Sequence, residues 1–119
     1  MIPQRKAIHL IDPNGKPVVK VPLANSELFA TVDRDSFERL MDSGLSSNWY
    51  FNKSPTGNRG YVRCSLNGTR VCVSRLIVNA KQQQNVFYLN NDTLDLRIEN
   101  LYLEKGQAKK SWILRDIPL

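Results

Sequence analysis

The residues that most often build metal sites and nucleophilic active sites are scarce in this chain. There is one histidine, His9, and there are two cysteines, Cys64 and Cys72. A structural zinc site needs four ligands, so these three residues could not complete one without carboxylates. His9 lies on a different predicted element from any candidate nucleophile, which disfavours Ser-His-Asp and Cys-His arrangements. The sequence therefore predicts a protein that is not an enzyme and that uses no metal or cofactor.

Oxygen-bearing side chains are concentrated close to residue 95 and suggest a possible calcium loop. The cluster consists of Asn90, Asn91, Asp92, Asp95 and Glu99. It lacks the alternating spacing and the terminal glutamate of an EF-hand. Asn and Asp side chains also form turns and caps by hydrogen bonding to nearby backbone groups. We therefore interpret these residues as turn and cap residues.

Positive charge is concentrated in the middle of the 119-residue chain. The net charge is +6, from 17 lysines and arginines against 11 aspartates and glutamates. Basic and acidic residues balance in residues 1–42 and in residues 92–119, whereas residues 43–91 contain no Asp or Glu. The basic residues of this middle region are Lys53, Arg59, Arg63, Arg70, Arg75 and Lys81. Such a distribution is typical of a nucleic-acid-binding surface, although an acidic protein partner or a purely solubilising role would use the same charge.

The first part of the chain predicts a small sheet and a helix. Residues 8–11 and 18–21 are β-favouring runs about a Pro/Asn/Gly turn, which indicates an N-terminal hairpin. Residues 29–32 predict a further short strand. Apolar residues then recur at helical intervals, with Asp33 or Asp35 as N-cap, and predict a helix over residues 34–43.

A second hairpin is predicted with its register. Residues 61–66 and 69–73 flank Asn67-Gly68, a strong signal for a two-residue turn, and residues 49–51 predict a strand before them. If Leu66 opposes Thr69, one face carries Val62, Cys64, Leu66, Thr69, Val71 and Val73, which we expect in the core. The other face carries Tyr61, Arg63, Ser65, Arg70, Cys72 and Ser74, which we expect to face solvent or a partner. Cys64 and Cys72 then point to opposite sides, so no disulfide is expected between them.

The last third of the chain alternates short elements. Residues 74–80 predict a short helix with Leu76 and Ile77 buried, and residues 86–89 and 101–103 predict two strands about a helical turn near 94–100. Residues 106–114 predict a terminal helix. Together the elements predict an α+β fold of small antiparallel sheets with short helices.

Residues 86–101 resemble the core of HNH endonucleases of the phage and homing type. Their sequence is Val86-Phe87-Tyr88-Leu89-Asn90-Asn91-Asp92-Thr93-Leu94-Asp95-Leu96-Arg97-Ile98-Glu99-Asn100-Leu101. In that family the pattern is roughly Val-Asp-His-Ile-Asn-Gly, two residues, Leu-Asp-Asn-Arg, two residues, Asn-Leu. The region before it, including Gly60-Tyr61-Val62 and Ser74-Arg75-Leu76-Ile77, is similar to the Apetala-type DNA-binding sheet and helix. The chain length and the first turn predict one domain over residues 1–119 with an N-terminal hairpin region at 1–30. The resemblance, which covers roughly residues 30–112, implies an Apetala-like sheet and helix at 31–80 and an HNH-like ββα segment at 81–119.

The resemblance also implies that the catalytic groups have been lost. Where the family has a metal-binding Asp, a general-base His and a third metal ligand, this chain has Phe87, Tyr88 and, by spacing, Lys109. A phenyl ring cannot bind a hard cation, and a tyrosine with an ordinary pKa near about 10 is a poor base at neutral pH. Ser74 replaces another family histidine. The retained residues, to which the resemblance assigns packing, capping and loop fixation, are Leu89, Leu94, Asp95, Arg97, Asn100 and Leu101.

Two functions are compatible with these observations. The first is a catalytically inactive, phage- or mobile-element-derived protein that binds double-stranded DNA, with Trp49 as a further candidate for packing on a sugar or base. The residues predicted to bind are Lys53, Arg59, Tyr61, Arg63, Arg70 and Arg75. The second is a phage-encoded inhibitor that binds a host nucleic-acid enzyme or defence nuclease through new aromatic residues. Those residues are Phe87, Tyr88, Tyr102 and Trp112, which in a purely structural interpretation fill the vacated cleft. A residual metal-dependent nuclease is less favoured than either.

Composition sets the expected cellular setting. The chain is 41% hydrophobic and 24% charged, which is ordinary for a globular domain. No apolar run approaches the roughly 20 residues of a membrane-spanning helix, and the N-terminal residues do not form a secretory signal. We therefore expect a cytoplasmic protein with no membrane partner and with reduced cysteines.

Overall fold

A computed structural model describes residues 5–53 and 60–105, and these residues form an α+β fold of small antiparallel sheets and two short helices. In chain order the elements are β1 (Ile8–Ile11), β2 (Pro17–Pro22), β3 (Phe29–Asp33), α1 (Arg34–Asp42), β4 (Tyr50–Lys53), β5 (Gly60–Leu66), β6 (Thr69–Cys72), α2 (Val73–Ile77), β7 (Gln84–Tyr88), a 3-10 turn (Ile98–Asn100) and β8 (Leu101–Lys105). The predicted fold class is confirmed at this level. The predicted terminal helix over 106–114 lies outside the described residues.

The first sheet has the order β1-β2-β3, and both pairings are antiparallel. The predicted N-terminal hairpin is present, and the predicted third strand pairs with β2. Helix α1 follows β3 without a loop and buries Ser36 and Leu40. Asp33 occupies the N-cap position, but its side chain does not cap the helix. Its Oδ2 instead accepts a hydrogen bond from the backbone N–H of Ile98 at 2.7 Å, which connects α1 to the 3-10 turn.

The second sheet has the order β4-β5-β6 and contains the predicted hairpin in the predicted register. Leu66 opposes Thr69, and both turn residues have positive φ, Asn67 at 53° and Gly68 at 82°. This is the backbone of a type I′ turn, which an Asn-Gly pair adopts at low cost. The predicted core face is buried at Val62 and Cys64 but is exposed at Leu66 and Thr69, because the hairpin tip extends beyond the core.

The start of helix α2 shows that the second strand of the predicted hairpin is shorter than expected. The strand ends at Cys72 and the helix begins at Val73, so the strand alternation does not extend to Ser74. Ser74, which was expected on the exposed face, is buried, and so is Ile77. Leu76 is only half-buried against the core. The helix is five residues long and ends earlier than predicted.

The third sheet pairs β7 with β8, and Val86 opposes Leu103. Leu89 lies just after β7 and is 63% exposed, so the packing role that the resemblance implied for it is wrong. Leu96, in the loop between β7 and β8, is fully buried. Thr31 of β3 exchanges backbone hydrogen bonds with Leu94 and Leu96, and this bridge attaches the loop between β7 and β8 to the first sheet. The two strands of the predicted ββα segment are therefore present, and its helix falls outside the described residues.

All three sheets contribute to one hydrophobic core. Its fully buried side chains include Val19 and Val32 of the first sheet, Val62 of the second sheet and Leu96 in the loop between β7 and β8. Tyr88 and Leu101 of the third sheet are also buried in this core. Trp49 was a candidate for packing on a sugar or base, but its ring is fully buried and its Nε1–H donates to the Ser46 carbonyl. Among the residues that the structure describes, the search for a helix with the length and hydropathy needed to span a membrane finds none.

Candidate nucleic-acid interface

The strand register places the two hairpin arginines on one face of the second sheet. Directly opposed residues in an antiparallel sheet share a face. Tyr50 opposes Arg63, Asn52 opposes Tyr61, Arg63 opposes Cys72, and Ser65 opposes Arg70. We call this surface the basic face, and its residues are Tyr50, Asn52, Tyr61, Arg63, Ser65, Arg70 and Cys72.

The opposite side of the sheet fixes the orientation of the basic face. Phe51, Val62 and Cys64 point the other way, and Val62 and Cys64 are fully buried. A slip of one residue would expose these side chains and bury Arg63, which makes the register strongly determined. Phe51 also covers Gly60: a Cβ at position 60 would lie 2.5 Å from two atoms of the ring. The packing beneath the basic face therefore keeps Ser65 and Arg70 exposed. Tyr61, which was expected to face solvent or a partner, is half-buried and packs against the core.

No carboxylate neutralises the two arginines within the described residues. The ion pairs of residues 5–53 and 60–105 involve Lys16 and Arg97, and neither Arg63 nor Arg70. Arg70 is exposed near the hairpin tip. Arg63 is half-buried, and its Nε is buried without a hydrogen-bond partner. Arginine presents five N–H donors in a fork that matches phosphate oxygens. Because Nε is buried, Arg63 would contact a phosphate through its terminal nitrogens.

A cleft of about 370 Å³ lies between the basic face and strand β7. Its lining residues are Tyr61, Arg63, Cys72, Ser74, Arg75, Asn85, Val86, Phe87 and Tyr88. The cleft therefore brings predicted nucleic-acid-binding residues together with two of the three positions of the predicted former metal site. The third position, Lys109, lies outside the described residues.

Ser74 and Tyr88, which stand where the resembling family has histidines, contact each other. The Tyr88 hydroxyl donates to Ser74 Oγ at 2.9 Å, and both residues are buried. The Tyr88 ring also lies 6.0 Å from the Tyr61 ring, centroid to centroid. The Tyr88 side chain thus fills the inner wall of the cleft, as the purely structural interpretation expected for this residue.

Phe87 and Tyr102 do not fill the interior. They oppose each other across β7 and β8, and their rings are stacked, with centroids 5.3 Å apart and an interplanar angle of 23°. Phe87 is 40% exposed and Tyr102 is 39% exposed. We call these two residues the ring pair. Trp112, the other aromatic residue of the predicted protein-binding set, is outside the described residues.

Arg75 lines the cleft, but its guanidinium is engaged in the fold. It donates to the backbone carbonyls of Gln84 and Lys81, each at 2.6 Å. These bonds connect α2 to the start of β7. Because both partners are neutral carbonyls, the positive charge of Arg75 still contributes to the potential of the cleft.

Two predicted binding residues are not part of this arrangement. Lys53 lies two residues after Phe51 on β4, so the two side chains are on the same face of the sheet, which is the face opposite Arg63. Arg59 lies outside the described residues. Sequence reasoning missed Tyr50 and Asn52, although the period-two alternation of residues 49–53 would have assigned them to the basic face once the pairing of β4 with β5 was known.

The oxygen-bearing cluster close to residue 95 holds a loop together. The Asp95 carboxylate accepts hydrogen bonds from Arg97 Nε at 2.8 Å, from a terminal nitrogen of Arg97 at 2.7 Å and from Asn90 Nδ2 at 2.9 Å. The Asn100 amide donates to the Asp95 carbonyl and accepts from the Asn90 N–H. These contacts fit the turn and loop-fixing roles that were expected. Within the described ranges, no group of three His, Cys, Asp or Glu side chains is placed to hold a metal ion.

Asp95 and Arg97 form an ion pair in this loop. Burial by itself raises the pKa of Asp95, but the hydrogen bonds from Arg97 and Asn90 and the charge of Arg97 outweigh burial, so this pKa lies below its ordinary value. The Asp95 hydrogen bond likewise raises the pKa of Arg97. The pairing of Asp95 with Arg97 therefore stabilises the loop.

The comparisons with known proteins give no independent assignment for this site. Comparison of the chain with protein-family models, with curated proteins and with solved structures finds no match. The resemblance to HNH endonucleases therefore stays a prediction that depends on the residues quoted above.

Proposed function

We propose that this protein binds double-stranded DNA through the basic face and that it is a catalytically inactive relative of the HNH endonucleases. The observation that carries the proposal is the placement of Arg63 and Arg70 on one outward sheet face with Tyr50, Asn52 and Tyr61. Neither arginine has an ion-pair partner in the described residues. An un-neutralised positive surface of this kind attracts the phosphate backbone.

The spacing of the two arginines suits phosphate contacts. Arg63 opposes Cys72 and Arg70 opposes Ser65, so the arginines are diagonal neighbours on adjacent strands. Diagonal neighbours on one sheet face are about 7 to 8 Å apart. Two guanidinium groups at this spacing can contact different phosphates, whereas two arginines alone give little basis for reading a sequence. We therefore propose binding with weak sequence preference.

The proposed absence of catalytic activity is inferred from the residues at the catalytic positions of the HNH family. Phe87 and Tyr88 occupy the positions of the family's metal-binding Asp and general-base His. The Tyr88 hydroxyl is buried and donates to Ser74, which suits a packing role. DNA would be bound by this scaffold and not cleaved.

A host protein is the second candidate partner, and the exposed ring pair is the observation that favours it. Exposed aromatic side chains beside a basic surface are enriched at protein interfaces as well as in nucleic-acid sites. In that case the protein would act as an inhibitor of a host nucleic-acid enzyme or defence nuclease. The phage or mobile-element origin that this role assumes is implied only by the resemblance.

Salt-dependent DNA binding tests the proposal. We expect fluorescence anisotropy with a short labelled duplex to show binding at low salt that weakens steeply between about 50 and 200 mM salt. The Arg63→Ala, Arg70→Ala double variant should weaken binding to every sequence and lower the salt slope by about two units, one per lost phosphate contact.

A matched double variant controls for net charge. Lys6→Ala, Lys16→Ala also removes two positive charges, from exposed positions before and between the strands of the first hairpin. It should bind almost as the unchanged protein does. No binding at the low-salt end, or equal loss in both double variants, would reject the basic face as the DNA site and leave the protein-partner function as the leading candidate.

A further inference from the structure

The ring pair has the geometry of a stacking surface. Phe87 and Tyr102 are cross-strand neighbours with nearly parallel rings, and about two fifths of each side chain is exposed. A stacked aromatic pair on a β-ribbon is more rigid than a single exposed ring, because each ring restricts the rotation of the other. Nucleic-acid bases stack on such rings irrespective of sequence, because every base has a π-face.

The ring pair adjoins the positive charge of the basic face. Phe87 and Arg63 line the same cleft, and the guanidinium of Arg75 is fixed in its wall. A nucleotide in this cleft could therefore place its phosphate at Arg63 and its base at Phe87.

We propose that the cleft binds an unpaired nucleotide, with its phosphate at Arg63 and its base stacked on Phe87, the member of the ring pair that lines the cleft. This inference rests on the proposed nucleic-acid binding and makes it more specific: single-stranded or locally unpaired DNA is the preferred ligand over a regular duplex. A cleft of about 370 Å³ is within the size range of small-ligand pockets and can admit one base.

The preference follows from the accessibility of base faces. In a duplex the π-faces are covered by neighbouring bases, so Phe87 could reach one only after the base had been unstacked, at a cost of a few kcal/mol. A single strand or a bulged base does not carry that cost. The arginines contact phosphates in all three forms, so they give general affinity while the ring pair gives the discrimination.

A comparison of three DNA probes tests this inference. The probes are a short fluorescein-labelled oligothymidylate, a regular duplex, and the same duplex with one bulged thymidine. We expect the oligothymidylate and the bulged duplex to bind more tightly than the regular duplex. Phe87→Ala should weaken binding of the first two by about 5- to 150-fold, the range that corresponds to 1–3 kcal/mol per stacked base, and should leave duplex binding nearly unchanged.

Two further variants separate stacking from apolar contact and from misfolding. Phe87→Trp keeps a π-face and should retain single-strand binding. Leu89→Ala removes an exposed apolar side chain just after the same strand and should change nothing. A single 2-aminopurine placed in the oligothymidylate should lose fluorescence on binding to the unchanged protein, as a stacked base does, and should keep it with Phe87→Ala.

The possible failures are distinguishable. If the duplex binds as tightly as the single strand, or if Phe87→Ala binds all three probes normally, the unpaired-nucleotide site is wrong and the duplex-binding function stands. If none of the probes binds at low salt, both proposals are wrong.

Discussion

The Asp95 carboxylate connects Asn90 and Arg97 in the loop between β7 and β8 through its hydrogen bonds. It is nearly buried, receives hydrogen bonds from Arg97 and Asn90, and has a pKa below its ordinary value. A carboxylate with a lowered pKa in the folded state contributes stability above its unfolded pKa, which is about 4, and that stability is lost as the pH falls through the folded value.

Asp95→Asn tests this charge. We expect the variant to lose about 2 kcal/mol of unfolding free energy at neutral pH, because the charged hydrogen bonds from Arg97 to Asp95 are weakened while Arg97 keeps its ion pairs with Glu99 and Asp12. The loss should diminish as the pH falls below about 4, the unfolded pKa, toward the lower folded pKa of Asp95, at which the folded protein loses the charge. Urea unfolding at several pH values measures both effects. A pH-independent difference between the two proteins would show that the Asp95 charge does not contribute.

The hydroxyl pair of Ser74 and Tyr88 gives a second prediction at this scale. Tyr88→Phe should cost about 1 kcal/mol of unfolding free energy, because the buried Ser74 hydroxyl loses its donor. A double-mutant cycle with Ser74→Ala should give a coupling energy of similar size. Additive losses in the urea unfolding of the four proteins would mean that the two hydroxyls do not interact.

At the scale of elements, the β5–β6 hairpin determines whether the basic face exists. Its Asn67-Gly68 turn sets the register that puts Arg63 and Arg70 together. Gly68→Ala should destabilise the protein by about 1 kcal/mol, because φ is +82° and nothing lies within 4 Å of the added methyl, so the cost is conformational. Asn67→Gly is the matched control, since glycine adopts positive φ freely. Equal urea midpoints for both variants would contradict a type I′ turn.

The same register gives a chemical prediction about the cysteines. Cys64 opposes Val71 and Cys72 opposes Arg63, so the two thiols lie on opposite faces of the hairpin. Burial also raises the pKa of the Cys64 thiol, which lowers its reactivity. Intact-mass measurement of the unreduced protein should show both thiols retained. A mass lower by two hydrogens would contradict the register.

The elements also show what the sequence could and could not predict. The hairpin register was predictable because an Asn-Gly turn and an alternating pattern are local signals. The burial of Ser74 was not, because nothing local ends the alternation at Cys72; the helix forms where Val73 and Ile77 can enter the core. Tyr50 and Asn52 were missed because their placement depends on pairing between β4 and β5. The exposure of the ring pair depends on tertiary packing in the same way.

For the whole molecule, the charge distribution separates two regions. The region of the first sheet and the 3-10 turn contains the ion pairs of Lys16 and Arg97 with Asp12, Asp95 and Glu99, so its charges largely cancel. The second sheet carries the uncancelled positive charge of Arg63 and Arg70. The sequence predicted this excess from the absence of Asp and Glu in residues 43–91, and the strand register adds which side of the sheet displays it.

The proposed loss of catalysis is also a property of the whole scaffold. We expect the purified protein to leave supercoiled plasmid intact in the presence of magnesium or manganese, because Phe87 and Tyr88 supply neither a metal ligand nor an effective base. Gel analysis of plasmid topology measures this. Metal-dependent nicking that is abolished in Tyr88→Ala would overturn the inactive assignment.

The central claim is that the basic face binds nucleic acid, and amide chemical shifts measured during a DNA titration test it most directly. At low salt we expect the amide signals of Tyr61, Arg63 and Arg70 to shift progressively as DNA is added, while those of β1 and α1 stay in place. Raising the salt should reverse the shifts. Shifts confined to the first sheet, or no shifts at any DNA concentration in low salt, would contradict the claim.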